Sequence, residues 1–254
     1  MAELLKVLEG ILLDAALAPA LSGKLYGKLM FLSSQYFGRL GRALLRAFSR
    51  RQHENRFSLN PQIVAAVNFW LEHMRCLRPR EIPVSLKSAP VFLSYSDGEG
   101  EGAGVGVALW CPDGTIVGGY IVVPAEVRET WSRAAVAGDH YDIFEIEAIG
   151  PALVLHNFED YFSEDAMWLH FIDNDAALAT LVKGSSSVLS GEVITAYTHS
   201  RCSAIGLWPW FDRVASADNP VDGLSRGKME GPWQLVDIVF PPVLLKNLRT
   251  YLHK

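Results

Sequence analysis

The chain has 254 residues, of which 50% are hydrophobic and 20% charged, and a formal net charge of −5. This is the composition of a folded protein rather than a disordered one, and the length suits one large domain or a domain with an appendage. No apolar run reaches the roughly 18 residues that span a bilayer, so no membrane partner is expected.

The charge is unevenly divided. Residues 1–80 carry twelve Lys/Arg against five Asp/Glu, and the remainder carries eleven against twenty-three. A basic segment joined to an acidic one suits a chain in which one part meets polyanions and the other collects carboxylates, although surface charge also varies along a chain without any such role.

In chain order, "MAELLKVLEGILLDAALAPA" is interrupted by Glu9 and Asp14 and repeats Leu4, Leu8, Ile11, Leu12 and Ala15 at helical spacing. This predicts an amphipathic helix, not a signal peptide. With Cys76, Cys111 and Cys202 showing no pairing pattern, the expected location is intracellular, cytoplasmic or nuclear. Residues 23–51 put Leu25, Leu29, Leu32 and Tyr36 on one stripe and Leu40, Leu44, Leu45 and Phe48 on the next. Arg39, Arg42, Arg46, Arg50 and Arg51 fall between the stripes, where they form either a grip on nucleic-acid phosphates or a solvated helix face. "NPQIVAAVNFWLEHMRCL" (60–77) opens on an N-cap and a first-turn proline. Residues 1–80 thus read as a helical segment. "RPREIPVSLKSAP" (78–90) has three prolines and no period, which places a linker at 81–90.

The texture then becomes β-rich. "VFLSYSD", "AGVGVALW" and "TIVGGYIVV", separated by Gly-rich or Asp-Gly turns, predict an antiparallel meander. Residues 142–158 have helical spacing, "MWLHFID" reads as a fourth strand, and "DAALATLVKG" as a helix closed by glycine. "SSVLSGEVITAYTHSRC" predicts another helix, "PWFDRVAS" a fifth strand, and "NPVDGLSRG" a short final helix. Three consecutive strands followed by alternation indicate a mixed sheet flanked by helices.

A right-handed crossover lays the fourth strand parallel to the first. Asp97 and Asp173, at the carboxyl ends of those strands, then share one sheet edge, where open α/β sheets gather their sites. Two adjacent carboxylates repel unless a cation lies between them, and Mg²⁺ or Mn²⁺ prefers such oxygen donors. Glu145 and Asp222, each in the first turn of a helix, can join the pair or act at the helix ends. Asp142 and Glu145 have capping-box spacing, and Asp222 follows Asn219 and Pro220.

The order strand-Asp, helix "EIEAIGPAL", strand-Asp in "FIDNDAAL", then "NPVD" opening a late helix resembles type 1 ribonuclease H domains, in particular those of reverse-transcribing retroelements. "WFDRVASADNPVDGLSRG" (210–227) is similar to the end of retrotransposon ribonuclease H domains, where an Asp is closely followed by Leu-Ser-Arg. "SGKLYGKLMFLSSQYFGRLGRALLRAF" resembles the helical segment that joins polymerase to ribonuclease H in such polyproteins. The likeness covers most of residues 20–230. It implies an α/β fold: a ribonuclease H-like, mixed five-stranded sheet flanked by helices over 91–230, preceded by the helical segment and followed by a tail at 231–254.

The resemblance also implies a site. Asp97, Glu145, Asp173 and Asp222 would be the catalytic and metal-ligating acids. Glu147 is the rival for the second place, because two helical positions separate it from Glu145 by about 200°. Two Mg²⁺ ions, or Mn²⁺ in their stead, would flank the scissile phosphate about 4 Å apart. Asp97 would bridge them, Asp222 would complete one site, and Glu145 with Asp173 the other. The implied activity is cleavage of the RNA strand of RNA·DNA hybrids, and the implied protein partner is the reverse transcriptase portion of a polyprotein. Asn174 or Asp175 is then left to cap the helix after the fourth strand. The chain departs from the family at Gly150 and Pro151, inside the expected helix, and in lacking an evident loop histidine before Asp222. Two other readings stand beside this one: an inactive retroelement fragment that only binds nucleic acid, and another ribonuclease H-like nuclease such as a 3′ exonuclease.

Two further motifs carry no chemistry. "DGEGEG" (97–102) begins like a calcium loop, but Ala108 stands where the bidentate glutamate belongs. "HSRC" (199–202) lacks a second pair at zinc spacing.

Overall fold

The computed structural model describes residues 2–35, 39–75, 89–134 and 142–252. The apolar periodicity of the first part is realised as four helices: α1 (Ala2–Leu13), α2 (Pro19–Ser33), α3 (Leu45–Arg51) and α4 (Pro61–Arg75). Before α4, Asn60 Oδ1 accepts the Ile63 N–H at 2.9 Å, so the expected cap is in place. Ile63, Val67, Trp70 and Met74 then recur at helical spacing on its buried face. The run expected through 23–51 divides into α2 and α3. The expected linker at 81–90 lies almost wholly outside the described residues.

The second part opens with β1 (Val91–Glu99), β2 (Gly104–Trp110) and β3 (Ile116–Val122), paired antiparallel as the turn signals require. There follow α5 (Ala125–Ala134), α6 (Ile143–Ala148), α7 (Gly150–Asn157), β4 (Met167–Ile172), α8 (Asp175–Lys183), α9 (Leu189–Ile205) and β5 (Trp208–Arg213). The chain ends with α10 (Asp222–Ser225), β6 (Gln234–Leu235) and α11 (Pro242–Tyr251). Among the described residues six strands form one sheet, in the order β5-β4-β1-β2-β3-β6. β4 runs parallel to both β1 and β5, and β6 runs parallel to β3.

The fold is therefore α/β, with a mixed six-stranded sheet flanked by helices and a helical segment ahead of it. The sixth strand comes from residues expected to be tail. In the same stretch, α11 buries Leu244, Leu248 and Tyr251 and packs on α4, α5 and α9. One continuous cluster of buried apolar side chains runs from Leu8 in α1, through the sheet, to Leu252. No helix among the described residues is long and apolar enough to cross a membrane.

The expected helix at 142–158 breaks at Ile149 into α6 and α7. Pro151 thereby falls in the first turn of α7, where its missing N–H leaves no intrahelical bond unmade. Gly150 is the point of closest approach to the sheet, since a Cβ there would lie 2.2 Å from Ser96 Oγ. α7 packs against the β1 face that carries Ser96, and α10 covers the opposite face through Val221 and Leu224 against Ala108.

Candidate metal centre

Tyr95 and Phe171 are register partners on the parallel strands β1 and β4. Two residues further along each strand, the alternation of side chains brings Asp97 and Asp173 to the same end of the sheet. The third acid comes from α6. Gly98 lets that helix come close, because a Cβ there would lie 2.8 Å from Ile146 Cγ2 and 3.2 Å from Glu147 Cδ. Asp97, Glu147 and Asp173 each offer an oxygen within 4.8 Å of the others.

This cluster is largely closed to water: Asp97 is 5% and Glu147 6% exposed, and Asp173 is half-buried. Burial pushes the Glu147 carboxyl up to about 9, with Asp173 and Asp97 adding to the effect and a Gly98 backbone hydrogen bond opposing it. Asp97 is also raised, first by burial and then by Asp173 and Asp222, against the Ser225 hydroxyl and Arg226. Glu147 Oε2 is buried and meets no hydrogen-bond donor among the described residues. Three converging carboxylates repel, and without a cation the repulsion is relieved by a proton held on Glu147 beside Asp173. A hard divalent cation would take that proton's place with the ligand type it prefers. These three residues could hold a metal ion.

Asp222 stands at the rim. Its side chain is 47% exposed and pairs with Arg226 at 3.0 Å, so it is not one of the three clustered acids. Its charge still reaches Asp97. The segment before α10 is tied to β1 by Asn219, whose Nδ2 donates to the Ser96 carbonyl at 3.0 Å and to Asp97 Oδ1 at 3.4 Å. Asn219 does not cap α10, whose N-cap is Val221; it supports Asp97 instead, a role that only the tertiary contact reveals. Of the two candidate caps after β4, Asn174 takes the place: its Oδ1 accepts the Ala176 and Ala177 N–H groups, each at 3.0 Å. Asp175 pairs instead with Arg213 at 2.6 Å.

Glu145 does not enter the cluster. It is 1% exposed and accepts the Ser190 hydroxyl of α9 at 2.7 Å. The helix phase decides this, since the α6 face turned to the end of β1 is that of Glu147, and Glu145 lies about 200° away. Part of the basic stripe is engaged within the protein. Arg50 forks onto the fully buried Glu192, Arg46 lies 3.9 Å from the same carboxylate, and Arg51, 1% exposed, donates to the Ser58 carbonyl at 2.7 Å. Arg39 Nε donates to the Val182 carbonyl at 3.3 Å, and Arg42 is half-buried. Of the five, Arg51 is buried and Arg50 and Arg46 turn to a buried glutamate on α9, while Arg39 is exposed and Arg46 and Arg50 keep 43% and 35% of their side chains in solvent.

No protein-family model matches the chain, and no curated protein matches it in sequence.

Proposed function

We propose that the protein is a divalent-metal-dependent endonuclease that hydrolyses the RNA strand of RNA·DNA hybrids, on a ribonuclease H-like scaffold of retroelement origin. The observation that carries this reading is the meeting of Asp97, Glu147 and Asp173 at the carboxyl end of the parallel pair β1 and β4. The antiparallel meander with β4 and β5 added on the β1 side supports it. So does "DGLSR" in the last short helix before β6, with Asp222 within electrostatic reach of Asp97.

Asp97, Glu147 and Asp173 would hold the metal, with Asp222 as an outer ligand. Bound there, divalent cations would supply a Lewis acid for the scissile phosphate and a lowered pKa for the attacking water. The chain's own part is to keep the oxygens converged. Asn219 orients Asp97, Gly98 admits α6, and the apolar packing of Ile146 aims Glu147. Because burial keeps the proton on Glu147, a cation bound there would have to displace it, so binding would be favoured by rising pH. Preference for a hybrid would come from helix shape and 2′-hydroxyl contacts, not base sequence.

A labelled RNA·DNA hybrid incubated with Mg²⁺ tests the proposal. Internal cuts in the RNA, lost in Asp97→Asn and Glu147→Gln, are the expected result. A hybrid left intact by the wild-type chain sinks it, and shortening of DNA from its ends would favour an exonuclease instead.

A further inference from the structure

Arg226 lies one helical turn beyond Asp222, so the two side chains share a face of α10. The guanidinium closes on the carboxylate as a fork: Nη2 meets Oδ1 at 3.0 Å, and Nε meets Oδ1 and Oδ2 at 3.3 and 3.4 Å. The backbone beneath is fixed, with Val221, Leu224 and Ser225 fully buried and Asn219 bonded to β1. The pair itself is open to solvent, with Asp222 47% and Arg226 53% exposed. Either side chain can therefore turn without moving α10.

A carboxylate clasped by arginine is a poor ligand for a cation, which would have to settle beside a positive charge. Asp222 is nonetheless close enough to influence Asp97, and Arg226 is itself attracted by Asp97 and Glu99. The guanidinium is thus a cation within electrostatic reach of Asp97, and its planar fork suits a phosphate as well as a carboxylate.

We propose that Arg226 is a latch on Asp222: it occupies the carboxylate in the resting chain, and yields it to the metal when the guanidinium takes a phosphodiester oxygen of the nucleic acid. The exchange leaves each charge paired before and after. Exposed ion pairs are weak, so the latch opens at little cost. Arg226 is accordingly a positioning residue for Asp222 and a phosphate contact in the loaded state. The latch rests on the metal-dependent reading above and adds a competition between arginine and cation for one carboxylate.

Calorimetric titration of Mn²⁺ into the full chain without nucleic acid reads that competition. Arg226→Gln should bind Mn²⁺ about two- to five-fold more tightly than wild type, the scale of an exposed pair. The gain should vanish when Asp222→Asn is added, and Arg226→Lys, which keeps the charge, should lose most of it. Hybrid binding measured with Ca²⁺ in place of Mg²⁺ reads the other half. Arg226→Gln should weaken it and lower the slope of log affinity against log salt by about one. Equal Mn²⁺ affinity in wild type and Arg226→Gln, or a gain that survives Asp222→Asn, overturns the latch even if the wild-type chain cuts hybrid RNA. An unchanged salt slope overturns the transfer to phosphate. The Mn²⁺ gain without cleavage by any variant would keep the competition and remove the nuclease reading.

Discussion

Glu145 and Glu147 leave α6 on opposite sides, the first to accept the Ser190 hydroxyl at 2.7 Å and the second to join Asp97 and Asp173. Two residues of one helix turn thus take unrelated duties. One fastens α6 to α9, and the other faces the end of the sheet.

Their isosteric variants should separate cleanly. Glu147→Gln should lower Mn²⁺ affinity by at least about tenfold, since even supporting residues of metal sites carry that much. Glu145→Gln keeps an acceptor for Ser190 and should leave Mn²⁺ affinity unchanged. Ser190→Ala should cost about 1 kcal/mol in urea denaturation by removing that hydrogen bond. Metal affinity lost in Glu145→Gln and kept in Glu147→Gln would reverse the assignment.

Stability of the metal-free chain should depend on pH in two opposite senses. Glu147 sits at about 9 in the fold against an ordinary 4.5, so between these values the unfolded chain releases a proton that the folded chain retains. Stability is then lost as pH rises through that window. His170, fully buried between Ser94 and Ser96, is held at about 3 by desolvation, and His199 at about 4. Below their ordinary 6.5 the unfolded chain takes up protons that the fold refuses, so stability also falls as pH drops. Urea midpoints in EDTA should therefore peak between about pH 4.5 and 6.5. Glu147→Gln, or added Mn²⁺, should flatten the alkaline limb and spare the acid one.

Much of this was legible in the chain because it rests on local rules. Alternation and turn residues mark β1 to β3, and the handedness of crossovers places β4 beside β1, which brings Asp97 to Asp173. The choice between Glu145 and Glu147 was not local. Both acids fit a helix start, and the face that meets β1 depends on Ile146 and Ile149 finding the core before the helix breaks. The fate of the arginines is hidden for a related reason, because Glu192 lies about 140 positions away and only the tertiary fold brings it beside Arg50 and Tyr251. α5 is masked in the sequence because its charges hide a two-point apolar contact, Val127 and Trp131, both fully buried. α11 was readable in principle from Leu244, Leu248 and Tyr251.

The carboxylate of Glu192 is fully buried, forked by Arg50, and accepts the Tyr251 hydroxyl at 2.6 Å, which ties α3 and α11 to α9. Arg50→Ala should cost about 1–3 kcal/mol, because the buried carboxylate loses its forked donor and keeps only the Tyr251 hydroxyl and the more distant Arg46. Replacing both partners with apolar groups, as in Arg50→Met with Glu192→Leu, should recover only part of that loss, since the buried Tyr251 hydroxyl then lacks its acceptor. Hybrid affinity should be the same in this double variant as in wild type, since Arg50 is already engaged internally. A fall in hybrid affinity there would return Arg50 to the nucleic-acid contacts.

Gly150 ties the geometry of the triad to the packing of one helix turn. A Cβ at this position would lie 2.2 Å from Ser96 Oγ and 2.3 Å from Ser96 Cβ, distances that no rotamer of Ser96 relieves. Ser96 precedes Asp97 and also bonds His170 at 3.0 Å, so it cannot retreat without disturbing the strand that carries the acid. Gly150→Ala should therefore cost about 1–3 kcal/mol, the usual penalty of overpacking. It should also weaken Mn²⁺ binding, because the first turn of α7 moves off β1 and takes the end of α6, with Glu147, away from Asp97. Adding Ser96→Gly removes the obstructing side chain. That double variant should regain Mn²⁺ affinity while recovering stability only in part, as the hydrogen bond to His170 is gone and its loss costs about 1 kcal/mol. A destabilised Gly150→Ala chain that binds Mn²⁺ as tightly as wild type would show that the approach of α7 to β1 does not set the spacing of the carboxylates.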